Sequence, residues 1–264
     1  MDRDILTVTT DSFSMRYFRF GKGKTPLVII PGVSIRSVME SAAAVRYAYS
    51  RFEDAFDIYL FDRINDIPEG YTVEAMGEDT AAAMEKLGLQ DCCVIGVSQG
   101  GMIAQVIAGR HPGLVKRLVL AATACADNEM SRQVFDTVIR LCADGASREL
   151  NILMAERIYS PAFFEKYRSV FEDTAAAITR EDLVRFSRMT ARMRDFDFRE
   201  ELCSIKCSTL VMGGSEDRIF GIGASEELAR RLGCDLYIFE GLGHAFYDEA
   251  DDFKERVYSF FTQK

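Results

Sequence analysis

The apolar and polar positions change period along the chain, and the changes mark its elements. Ile5–Thr9 and Phe13–Phe20 have strand character and are joined at Thr10-Asp11-Ser12. Gly21-Lys22-Gly23-Lys24 reads as a turn. Leu27–Ile30 is a continuous apolar run, short enough for a parallel strand buried on both faces, and ends in Pro31-Gly32-Val33-Ser34. Ser37 to Phe52 is alanine-rich and predicts a helix. Asp57–Asp62 (DIYLFD) predicts the next strand and Arg63–Gly70 a loop. Thr72 is placed to cap a helix running to Lys86, and Gly88 ends it. Cys92–Ile95 is again strand-like, whereas Met102, Ile103, Val106 and Ile107 recur at helical spacing. Val115–Ala121 (VKRLVLA) is a further strand. Strands that alternate with helices imply right-handed crossovers and a parallel sheet.

From about Asp127 to Cys203 the rhythm differs. Helical stretches follow one another at Glu129–Ala143, Arg148–Tyr159, Pro161–Ala177 and Glu181–Arg194, with no convincing strand among them. This predicts a helical lid over residues 127–203, inserted between core segments 1–126 and 204–264. The strand pattern resumes at Thr209–Met212, with the loop Gly213-Gly214-Ser215-Glu216-Asp217 at its carboxyl end. Ala224–Leu232 predicts a helix and Asp235–Phe239 the last strand. Gly241-Leu242-Gly243-His244 follows, and Tyr247–Phe261 predicts a terminal helix with Phe253, Val257, Phe260 and Phe261 on its apolar side.

Composition narrows the function classes. The 264 residues are 48% hydrophobic, ample for a buried core, and the net charge is −9. No basic cluster is long enough to track a phosphate backbone, which argues against nucleic-acid binding. No apolar run approaches the ~18 residues of a transmembrane helix. The first residues, MDRDILTVTT, lack an apolar signal core, so a cytoplasmic location is expected. The seven cysteines are odd in number and several lie in apolar runs, which fits reduced, buried thiols. Cys203 and Cys207 have no second close pair, and only two histidines exist, so no metal site is expected.

The candidate chemistry begins at Gly96-Val97-Ser98-Gln99-Gly100, between the strand ending at Ile95 and the helix beginning beyond Gly101. A serine is thrust out of a strand end only where the backbone turns sharply into a strained region, and flanking glycines make room for that turn. The helix that follows aims its free N–H groups at the serine. A serine needs a base, and His111 and His244 are the two available. His111 ends the same helix, ~20 Å along it from Ser98, and reads as a C-terminal cap. His244 sits in a glycine-flanked loop at the sheet end where Ser98 emerges. The base in turn needs a carboxylate. Asp217 is favoured, with Glu216 and Asp248 as rivals.

Ser98, Asp217 and His244 stand in the chain order of the α/β-hydrolase superfamily, which the sequence resembles over nearly its whole length. Pro31-Gly32, Gly96 to Gly101, Gly213 to Asp217 and Gly241 to His244 all match. The resemblance implies an α/β fold: an eight-stranded, mostly parallel sheet flanked by helices, with one antiparallel strand near the start and an inserted helical lid. It further implies an oxyanion hole made by the backbone N–H groups of Val33 and Gln99. Two departures stand out. Pro31-Gly32 replaces the His-Gly of many lidded relatives. Asp62-Arg63 continues as Ile64-Asn65-Asp66-Ile67-Pro68, without the usual glycine- and histidine-containing loop.

The expected function is serine hydrolysis of a small or medium acyl substrate, foremost a carboxylic ester, with no cofactor. Carbon–carbon hydrolysis, lactone hydrolysis and aminopeptidase activity are the alternatives on the same triad, and a non-catalytic receptor-like protein is a further one. Arg185, Arg188 and Arg192 share one helical face and are weak candidates for binding a substrate carboxylate. Lid side chains decide the acyl and leaving groups, and the sequence sets no oligomeric state.

Overall fold

The computed structural model describes residues 5–263. The strands are β1 (Ile5–Thr9), β2 (Ser14–Gly21), β3 (Thr25–Ile30), β4 (Phe56–Ile64), β5 (Cys92–Val97), β6 (Val115–Ala121), β7 (Ser208–Gly214) and β8 (Asp235–Phe239). They form one eight-stranded sheet in the order β1-β2-β4-β3-β5-β6-β7-β8. β2 is antiparallel to both neighbours, and the pairings from β4 to β8 are all parallel.

The order has a consequence for function. β3 feeds β4 on one side, and the chain then returns to place β5 on the other side of β3. Such a reversal opens a crevice beyond the carboxyl ends of the two central strands. Pro31-Gly32-Val33 follows β3 and Ser98 follows β5, so both segments stand at that crevice.

Every residue of β5 is buried, and the period of two sorts its side chains onto two faces. Val94 packs with Leu118 and Leu120 against one helical layer, made by α2 (Val73–Lys86) and α3 (Gln99–Arg110) through Met76, Met102 and Val106. Cys93 and Ile95 pack with Val119 and Leu60 on the other face. There they meet Phe52, beyond α1 (Ala42–Ala48), and later residues of the C-terminal segment, Phe253 and Val257. Thr72 caps α2 by accepting from the Ala75 N–H, as its position predicts. The seven cysteines are all unpaired. Among the described residues no helix is long and apolar enough to cross a membrane.

Between β6 and β7 come α4 (Glu129–Asp144), α5 (Ser147–Ile158), α6 (Pro161–Thr174) and α7 (Arg180–Ala191). Their starts are set by local chemistry. Asn128 with Ser131, and Thr179 with Asp182, form reciprocal caps, and Ser160 caps α6 ahead of Pro161. Gly145 ends α4 in the left-handed region, at φ 72°. After β7, α8 (Ile222–Leu232) packs against the sheet.

Three expectations shift. The helix expected over Ser37–Phe52 is α1 alone, flanked by 3₁₀ turns at Val38–Ser41 and Ser50–Phe52. β4 runs on to Ile64 because Met15 of β2 pairs with Ile64 past a bulge, which makes Arg63 a strand residue. The terminal helix is two, α9 (Phe246–Glu249) and α10 (Phe253–Thr262), broken where Ala250 is extended. The break lets Phe246 and Phe253 both pack on Phe239, at ring separations of 4.7 and 6.3 Å.

Candidate active site

The turn after β5 is as tight as its glycines suggest. Ser98 has φ 53° and ψ −122°, a region that costs a non-glycine residue of order 1–3 kcal/mol. Surrounding bonds hold it there. Its N–H donates to Ala121 O at 2.9 Å, and its carbonyl accepts from Thr123 Oγ1 at 2.7 Å and from the Gly101 N–H at 2.8 Å. A Cβ on Gly96 would lie 2.6 Å from Gly100 O, and one on Gly100 would lie 2.0 Å from Ile30 O. No side chain fits at either position.

The crevice residues approach Ser98 closely. The position of a Gly32 Cβ would be 3.1 Å from Ser98 Cβ and 3.6 Å from its Oγ. Val33 follows directly. Gln99 opens α3, where the first N–H groups have no partner inside the helix. Among the described residues, neither the Val33 nor the Gln99 N–H meets an acceptor in a loop or a side chain.

The ends of β7 and β8 bring the second half together. Asp217 and His244 are 7% and 3% exposed, and His244 Nδ1 stands 2.8 Å from Asp217 Oδ2. Asp217 Oδ1 accepts from the N–H groups of Ile219 and Phe220, at 2.7 and 3.1 Å. Burial pushes the Asp217 pKa up, but the His244 ring and these two amides outweigh burial and hold it below the ordinary carboxylate value. An ionised carboxylate only accepts, so Nδ1 carries a proton in this bond. The Phe220 ring lies 5.6 Å from the imidazole.

The rivals stand elsewhere. Glu216 is exposed and shows only a backbone bond, from its N–H to Leu242 O. Asp248 accepts from Tyr159 Oη at 3.3 Å. His111 closes α3 through its N–H to Ile107 O, and its ring meets Glu78 at 2.8 Å, as a capping residue on the surface would.

Residues 61–251 match the sequence model of the family described as alpha/beta hydrolase fold. The chain belongs to the α/β-hydrolase fold family. It is 30% identical over 209 residues to the AB hydrolase superfamily protein YisY of Bacillus subtilis, covering 74% of each chain. It is 20% identical over 231 residues to 3-oxoadipate enol-lactonase 2 of Acinetobacter baylyi, covering 86% of this chain and 84% of that one. The crystal structure of MGS-M2, an alpha/beta hydrolase enzyme from a Medee basin deep-sea metagenome library, superposes with a TM-score of 0.87. Identity there is 24%, over 98% of both chains.

The α/β-hydrolase has a cavity of about 760 Å³ beside the crevice. Gly32, Val33 and Val97 form its wall nearest Ser98, and Ile158, Phe171 and Phe186 bring the inserted helices to the opposite wall. The insertion also grips the loops that carry His244 and Asp217. Ala245 N–H donates to Ile158 O at 2.6 Å, and Arg218 Nη2 to Tyr159 O at 2.9 Å.

The three insertion arginines do not line that cavity. Arg185 pairs with Asp62 at 2.7 Å, Arg188 donates to Ile67 O at 2.8 Å, and Arg192 pairs with Asp195 at 2.9 Å. The first ties α7 to β4 and the second to the loop after it. They stand as fasteners between layers, and the cations lining the cavity among the described residues are Arg36 and Lys254.

Arg63 escapes a reading of the sequence that treats it as a loop residue. It is 4% exposed, and among the described residues its guanidinium is in no ion pair. Its Nη2 donates to Pro31 O at 2.8 Å, and Nε and Nη2 both donate to Gln99 Oε1, at 3.2 and 3.0 Å. Gln99 Nε2 then donates to Met189 O at 2.9 Å. One guanidinium therefore joins the two backbone segments that flank Ser98. Burial lowers the Arg63 pKa to about 10. Its place in the Asp62-Arg63 pair was the available signal, and the strand register was what that signal lacked.

Proposed function

We propose that this α/β-hydrolase is a serine hydrolase that cleaves carboxylic esters of small to medium acyl groups, with Ser98, Asp217 and His244 as its triad. The observation that carries the reading is the buried His244–Asp217 pair at 2.8 Å, at the same sheet edge as the strained Ser98. Asp217 holds the Nδ1–H tautomer, so Nε2 is left to take the Ser98 proton. Ser98 Oγ attacks the carbonyl. The Val33 and Gln99 N–H groups hold the oxyanion, an interaction whose loss typically costs ~2.7–4 kcal/mol per donor. His244 then protonates the leaving alcohol, and water activated by the same ring releases the acid from Ser98.

The helices of residues 127–203 act as the lid, because they supply the wall of the cavity facing Ser98's neighbours. The cavity's mainly apolar lining suits an acyl chain or an apolar alcohol. Lactone hydrolysis is the second reading. A lactone is a cyclic ester, so the same steps apply, and the likeness to an enol-lactonase favours it.

The test is turnover of an aryl-ester and lactone panel by the parent and by Ser98→Ala. Loss of turnover in the variant on every substrate supports the reading. Equal turnover in the two proteins defeats it.

A further inference from the structure

The cavity carries polar groups for which the triad chemistry has no use. Asp248 lines it and has exposed surface, yet the only hydrogen bond of its carboxylate among the described residues is the 3.3 Å one from Tyr159 Oη to Oδ2. Tyr49 and Tyr247 line the same cavity, and among the described residues their hydroxyls bond to no protein atom. Neither hydroxyl is sealed off: the one buried side-chain polar atom without a partner among the described residues is Gln105 Oε1. Lys254 also lines the cavity. Its Nζ donates to the Tyr247 carbonyl and is not ion-paired among the described residues.

These five side chains act on one another. Burial first, then the Asp248 charge, raises the pKa of both Tyr49 and Tyr159, and Tyr247 feels Asp248, Tyr159, Asp217 and Tyr49 together. Burial raises Asp248 and lowers Lys254, and each opposes that shift in the other. A carboxylate with one long hydrogen bond, an ammonium and two phenols with unused bonding capacity line one cavity, where a ligand's hydrogen-bonding group can replace water.

We propose that this cluster is a substrate subsite for a neutral group that both donates and accepts hydrogen bonds, a hydroxyl or a carboxamide on one arm of the ester. The proposal deepens the ester-hydrolase reading and rests on it for the word substrate. The donor of the group satisfies Asp248, and its acceptor takes a hydrogen from Lys254 or a phenol. Charge selects a neutral group. Cations (Arg36, Lys254) and carboxylates (Glu40, Asp248) both line the cavity, so a substrate ammonium or carboxylate would meet a like charge.

The test compares p-nitrophenyl hexanoate with its 6-hydroxy and 6-carboxamide analogues, and hexyl acetate with 6-hydroxyhexyl acetate, so that either arm is covered. On one arm the polar-tipped ester should have a kcat/KM about tenfold above its plain partner, as one hydrogen bond to a charged group allows. In Asp248→Ala and in Lys254→Met that ratio should fall towards one. A parent ratio of one or less on both arms overturns the subsite, as does a ratio unchanged in Asp248→Ala. Preference for a 6-ammonio or 6-carboxylate tip over the neutral ones also overturns it. A second arm does not depend on turnover: calorimetry of hexane-1,6-diol and hexan-1-ol with Ser98→Ala. The diol should bind about tenfold tighter, and Ser98→Ala/Asp248→Ala should lose the difference. Equal binding of the two alcohols to Ser98→Ala counts against the subsite even if no ester is turned over.

Discussion

Replacing Arg63 by methionine separates stability from catalysis. The guanidinium supplies three hydrogen bonds to two acceptors, Pro31 O and Gln99 Oε1. Leaving both acceptors buried and unpaired costs about 1–3 kcal/mol each. Against that, the fold holds the cation under desolvation that brings its pKa down to about 10, a penalty of roughly 3 kcal/mol at 1.36 kcal/mol per pH unit. The two effects nearly cancel, much as buried ion pairs are replaced by apolar residues at little net cost. Activity has no such offset. Pro31 precedes Gly32-Val33, and Gln99 itself bears the other proposed oxyanion N–H, so both proposed donors would lose their common anchor. The upper bound is the loss of a whole donor, about 10²–10³ in kcat, and partial misplacement predicts about 10- to 100-fold. Arg63→Lys keeps the charge but not the fork, and should recover only part of that loss. The assay is steady-state kinetics on an aryl ester beside a thermal melt. The expected result is a lower kcat, a KM within about threefold of the parent, and a melting temperature within several degrees. An unchanged kcat, or a fall that merely follows the unfolded fraction, refutes the argument.

Three further outcomes follow from the same geometry. Ser98→Gly should be more stable than Ser98→Ala by about 1 kcal/mol, measured by urea unfolding, because glycine relieves the backbone at φ 53° whereas alanine keeps the strain; equal stability of the two variants would show that the turn is not strained. Gly100→Ala should fail to give soluble folded protein or lose several kcal/mol, since its Cβ meets Ile30 O at 2.0 Å; a near-parental melt would contradict the packing. Asp217 has a depressed folded pKa, so its contribution is present above the unfolded value near 3.9 and is lost as pH falls through the lower folded one. The stability gap between parent and Asp217→Asn should therefore be full at pH 6 and shrink below about pH 4, and a gap that widens on acidification would reverse the sign.

Much of the site was legible because its constraints are local. Gly96 and Gly100 announce the turn at Ser98, since the backbone there admits nothing larger. Asp217 could be preferred to Glu216 by spacing, but what separates them is the Asx geometry that turns Asp217 onto the Ile219 and Phe220 amides and leaves Glu216 outside. Thr72 was readable from capping, and Asp235–Phe239 from its short apolar run. Features set by long-range register were not. The extension of β4 through Arg63 depends on pairing with Met15, many residues away. Arg185, Arg188 and Arg192 share a helical face, yet the partners that use the first two, Asp62 and Ile67 O, come from another layer. Asp248 looked like an ordinary acidic residue at a helix start, and only the assembled cavity gives its carboxylate a setting.

The central claim is that Ser98 is a nucleophile primed by His244. It is tested most directly by intact-mass and peptide mass spectrometry after brief exposure to an alkyl fluorophosphonate. The account predicts one adduct per chain, on the peptide bearing Ser98, absent in Ser98→Ala and formed at least 10²-fold more slowly in His244→Ala. Labelling that persists in Ser98→Ala, or proceeds at the parental rate without His244, would contradict it.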